Sequence, residues 1–146
     1  MSLLCAGSSR QRAPRLPRGT PVYIVNAIAR IVLAQPHLHV GIVGETSKHP
    51  GFVRLERLDL RNHVQWKIVD DSGQREDVYR EAMQTQLDSR FEHLSTRPGW
   101  RVVVVYEPVA EIMAVVYVWN HVHHDGMSGN IFHRHLLRHL NNYPFL

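Results

Sequence analysis

A chain of 146 residues, 44% hydrophobic and 21% charged, is one domain's worth of sequence, and it holds no apolar run long enough to cross a bilayer. Its formal charge of +4 is carried at the front: Arg10, Arg12, Arg15, Arg18 and Arg30 all precede Glu45, the first acid, and the remainder has 12 basic against 13 acidic residues. With that near-neutral body a nucleic-acid footprint is not supported, and a single cysteine, Cys5, rules out an internal disulfide and fits a reducing, cytoplasmic setting.

Residues 1–20 read as a disordered basic tail; its composition is transit-like, but its prolines would break the amphipathic helix such a signal needs. Thr20-Pro21 then predicts an N-cap and first helical residue, with a helix running to Pro36 and buried on most sides, because its apolar residues point in nearly every direction. His39–Val43, Phe52–Leu55 and Val64–Val69 read as short strands, the first two flanking a Gly44–Gly51 turn region. From Arg75 to Phe91 the period changes: Tyr79, Met83, Leu87 and Phe91 recur every four residues as one helical core stripe. The runs 101–106 and 112–119 are continuously apolar and β-branched, as strands covered on both faces would be, and their short connection predicts an antiparallel hairpin. A last helix, capped by Ser128, would bury Phe132, Leu136 and Leu140 and leave His133, His135 and His139 to solvent.

Between the last strand and that helix stands WNHVHHDGMSG, residues 119–129. Loops at strand ends are where a rigid scaffold presents catalytic groups. One reading is a zinc site: His121-x-His123-x-Asp125 resembles the opening of the metallo-β-lactamase motif, although that motif continues with histidine where Gly126 stands. The other reading needs one imidazole. His121-x-x-x-Asp125-Gly126 resembles the HxxxDG signature of the acyltransferases that include chloramphenicol acetyltransferase, the BAHD enzymes, peptide-synthetase condensation domains and, closest, the fungal alcohol acetyltransferase-like group. The resemblance covers residues 21–142: PHLHVGIVG, FVRLERLDL, QWKIV, the strand into His121 and the helix IFHRHLLRHLN follow in the family's order.

That resemblance implies a mixed, mostly antiparallel α/β half of the chloramphenicol acetyltransferase-like fold, with residues 21–146 as an N-terminal lobe. It implies acyl transfer, acetyl in the simplest case, from an acyl-CoA or carrier-protein thioester to a hydroxyl or amine. Acyl-CoA would be a cosubstrate, with no resident cofactor or metal. His121 would be the general base, since a near-neutral imidazole can accept the acceptor's proton and return it to the departing thiolate. Asp125 would be structural and orienting, commonly through an arginine. Gly126 would serve a sharp turn or close approach, its N–H turned toward the oxyanion. Two departures qualify the match. Asn120 replaces the first histidine of the longer HHxxxDG form, and the chain supplies only one of the family's two lobes. A half-enzyme completed by self-association or a separate lobe, a truncated non-catalytic remnant, and a zinc hydrolase are therefore the competing expectations.

Overall fold

A computed structural model describes residues 20–142. The basic tail expected over residues 1–20 lies outside them, except for Thr20, which opens helix α1 (Thr20–Ala34). After a 3₁₀ turn at Pro36–His39 come β1 (Val40–Val43), β2 (Gly51–Arg54) and β3 (Val64–Ile68). Helix α2 (Arg75–Asp88), strands β4 (Trp100–Glu107) and β5 (Ile112–Trp119), and helix α3 (Gly126–Asn141) complete the order.

β1 and β2 form a two-stranded antiparallel hairpin. The larger sheet runs β3-β4-β5, with β3 parallel and β5 antiparallel to β4. Alternation along β4 explains its unbroken apolar sequence. Trp100, Val102 and Val104 enter one buried cluster with Ile24, Ile28 and Ile31 of α1 and Phe132 and Leu136 of α3. Val103 and Val105 enter a second cluster with Ala82, and Val78, Tyr79 and Met83 of α2 pack against it. The sheet is thus covered on both faces, which is what a continuous valine run requires. Two buried polar groups at this cluster are paired: the Trp100 indole N–H donates to the Leu38 carbonyl at 2.9 Å, and His63 Nδ1–H donates to the Trp100 carbonyl at 2.7 Å. Tyr117 stacks on Phe132 at 4.1 Å and 9°, an aromatic pair worth about 0.5–1.5 kcal/mol beyond its burial.

Several sequence expectations are corrected. α1 is not buried on most sides; Ile24, Ala27, Ile28 and Ile31 form one stripe, while Val22 and Leu33 face outward. α2 stops at Asp88, so Phe91 is not helical, and the buried positions are Ala82 and Gln86, with Leu87 exposed. His133, His135 and His139 are each partly buried, because α1 packs across α3. His135 Nδ1 accepts from Gln35 Nε2 at 3.0 Å, and the positive charge of Arg30 acts on His139.

Candidate active site

β5 ends at Trp119, all of whose last four residues are buried, and delivers a six-residue loop to the edge of the domain. Asn120 organises that loop. Its N–H donates to the Gly99 carbonyl at 2.7 Å, its Oδ1 accepts from the Val122 N–H at 3.0 Å, and its carbonyl accepts from the N–H groups of His123 (2.9 Å) and His124 (3.3 Å). Asparagine suits this role because its short amide closes an Asx turn onto the backbone two residues on.

The turn sorts the three imidazoles. His121 is exposed, and no hydrogen bond or ion pair joins it to another described residue. His123 turns inward over Gly99, where a Cβ would lie 2.7 Å from its Nδ1; no side chain fits there. His124 is buried, with 4% of its surface exposed, its ring 5.0 Å from that of His37 and 6.2 Å from that of Tyr117. Burial lowers the pKa of His123, the Val40 backbone pushing the other way. Burial, reinforced by nearby His37 and His123, lowers that of His124 to about 4. Both rings are therefore neutral near pH 7.

Asp125 and Gly126 stand together at the start of α3. Asp125, not Ser128, is the N-cap: its Oδ1 accepts from the Ser128 N–H and hydroxyl, each at 3.0 Å. Those bonds, the backbone one first, hold its carboxyl below the usual aspartate range. The orienting role expected of Asp125 thus acts on the helix through Ser128, and no arginine is paired with it among the described residues. Gly126 lacks a positive φ, and the space where its Cβ would stand is open; nothing in the domain itself demands glycine there. α3 then approaches β5 closely at Gly129, where a Cβ would lie 2.8 Å from Trp119 Cη2.

His121, His123 and Asp125 do not converge: one faces solvent, one packs over Gly99 and one caps a helix. Among the described residues no group of three histidines, cysteines or acids is arranged to hold a metal ion, which removes the geometric basis of the zinc reading. Sequence reasoning missed the inward turn of His123 and His124; the signal for His123, Gly99, lies more than twenty residues upstream.

A family model for alcohol acetyltransferases matches residues 61–144. The probable alcohol acetyltransferase FCK4 of Fusarium pseudograminearum is 34% identical over 125 residues, covering 82% of this chain and 25% of that protein. Among solved structures, the tallysomycin biosynthesis protein TlmII superposes with a TM-score of 0.66 at 16% identity, over 88% of this chain and 30% of that one. The condensation domain of the monacolin K polyketide synthase MokA gives 0.64 at 10% identity, over 86% and 27%. At these identities the likeness is one of fold. The chain spans a quarter of the length of its curated relative.

Proposed function

The chain belongs to the alcohol acetyltransferase family, and from that premise we propose that it carries the general base of an acyl transfer, His121, as one wall of an active site. The reaction moves an acyl group, acetyl in the simplest case, from an acyl-CoA thioester to a hydroxyl or amine acceptor. One observation carries the reading: the exposed His121 follows a buried strand and precedes a helix capped by Asp125, inside His-x-x-x-Asp-Gly.

The acceptor donates its proton to the imidazole as its oxygen or nitrogen attacks the thioester carbonyl carbon. The carbonyl electron pair moves onto oxygen, giving a tetrahedral oxyanion. Collapse breaks the C–S bond, and the leaving thiolate takes the proton from the imidazolium. No covalent enzyme intermediate is required. Gly126 opens α3, where the first N–H groups have no partner within the helix, and the open space beside it gives an oxyanion room to approach.

Among the described residues, His121 is exposed and makes no hydrogen bond, ion pair or ring contact. Three large apolar side chains are exposed here: Val122 on the loop, Met127 in the first turn of α3, and Phe52 of β2, which lies against the His123 ring. This supports reading the chain as the first of two lobes, its cleft completed by a second lobe or a second copy. The open face also favours one other reading, a non-catalytic remnant. Thiol release from acetyl-CoA in the presence of simple alcohols or amines tests both. Turnover that is lost in His121→Ala supports the transferase; absence of turnover at every protein concentration supports the remnant. No described helix is long and apolar enough to cross a membrane.

A further inference from the structure

His124 is the least expected residue of the loop. Its ring is buried, and neither ring nitrogen has a hydrogen-bond partner among the described residues. An apolar side chain of similar size would fill the place without the cost of unmade hydrogen bonds. The ring stands edge-on to His37 at 5.0 Å and to Tyr117 at 6.2 Å, and stacks on His123 at 6.0 Å. Tyr117 is itself fixed by its stack on Phe132. Outside this contact the loop presents exposed His121, Val122, Asp125 and Gly126; only His123 and His124 turn inward.

We propose that His124 is a positioning residue for His121: wedged between His37 of the Pro36–His39 turn and Tyr117 of β5, it pins the loop so that His121 stands outward, and its protonation releases the loop. This deepens the reading of His121 as the base and rests on it. The groups that face His124 electrostatically are His37 from the turn, His123 beside it and Asp125 after it; the two imidazoles disfavour its charge and the carboxylate favours it. A cation at this place would meet two further imidazoles in a buried site with no acceptor on either ring nitrogen. The ring must then leave, and the loop with it. Release belongs below the ordinary imidazole range, because burial first, and then His37 and His123, hold His124 near 4.

The test follows imidazole resonances by NMR in the full chain with ring-labelled histidine, from pH 7.5 to 3.5, and needs no turnover. Expected is a step in the His121 resonances that coincides with protonation of His124 and with a fall in the heteronuclear NOE of residues 121–124. In His124→Phe, which keeps the ring packing, that step disappears. Should His124→Phe not fold, His37→Phe, which removes one neighbouring imidazole, moves the step to higher pH. Absence of a coincident step in the wild-type chain, or its survival in His124→Phe, overturns the proposal. Coupling seen by NMR without acyl transfer in the thiol assay would sink the functional reading alone.

Discussion

The Asp125 carboxylate closes the first turn of α3 by accepting from both the backbone N–H and the hydroxyl of Ser128, each at 3.0 Å. The same residue that the acyltransferase signature requires is therefore a helix cap in this chain. Asp125→Ala should lower the midpoint of urea unfolding and shorten α3 at its start, read as lost amide protection at Met127 and Ser128. Asp125→Asn, which keeps an acceptor, should retain most of the wild-type midpoint. Since the folded carboxyl titrates below its ordinary range, this contribution is present above the unfolded pKa and fades as pH falls through the folded one. Equal midpoints for Ala and wild type would refute the capping role.

What was legible in the sequence follows from which interactions are local. β4 and β5 were readable because a strand covered on both faces must be apolar almost throughout, and Val102–Val105 meets that demand directly. The placement of His121 at a strand end before a helix was readable for the same reason. The cap was misassigned because Asp125 and Ser128 are both good capping residues three apart. Asp125 prevails because it leaves the Asn120 turn with extended backbone (φ −109, ψ −178), the geometry an N-cap needs. The burial of His124 was not legible at all. It depends on His37 and Tyr117, brought together only by the tertiary fold.

Gly129 should resist substitution. Alanine in a helix interior ordinarily gains up to about 1 kcal/mol over glycine. Here the added Cβ would lie 2.8 Å from Trp119 Cη2, in a ring buried to 1% exposure and stacked with Tyr117. Overpacking of this kind costs about 1–3 kcal/mol, so the clash should win and Gly129→Ala should be destabilising in urea. Trp119→Phe removes the offending atoms, and the double variant should lose less than the sum of the two single ones. Strict additivity would show that the ring moves freely.

Arg75 and Glu107 tie the start of α2 to the end of β4 across 2.9 Å, with the arginine side chain 37% exposed and the carboxylate 2%. Arg75→Met should cost roughly 1–3 kcal/mol, because it strands a buried carboxylate whose other oxygen already lacks a partner. Replacing both residues by apolar ones should restore much of the loss, since the pair's own net contribution is small once desolvation is counted. A double variant as unstable as Arg75→Met would contradict this.

Acid should destabilise the domain from about pH 6.5 downward. His63 and His124 are buried and neutral, desolvation being the leading cause in each, against the Trp100 carbonyl at His63. The unfolded chain therefore binds more protons than the folded one below an ordinary imidazole pKa, and stability rises with pH through that window. For His124 the contribution is complete above about 6.5 and falls away toward 4, on the order of 3 kcal/mol in all. Unfolding midpoints between pH 7.5 and 4.5 should track this loss, and His124→Phe should flatten the profile while leaving the share due to His63. An unchanged slope in that variant would mean His124 is charged or solvated in the folded chain.

His121→Ala should leave stability nearly untouched, because the side chain is exposed and bonded to nothing among the described residues. Its effect belongs to kcat: removing a general base typically costs a factor of about 10²–10⁴. The two readouts must separate, and that separation distinguishes a base from a structural loop residue. His124→Phe should show the opposite pattern in part, shifting the acid limb of the rate profile by way of the loop. Since Val122, next to His121 in the chain, Met127 and Phe52, against the His123 ring, leave apolar surface exposed, turnover per chain should also rise with protein concentration if a second copy supplies the missing wall. A strictly monomeric chain by light scattering, active at a concentration-independent rate, would show that one wall is enough.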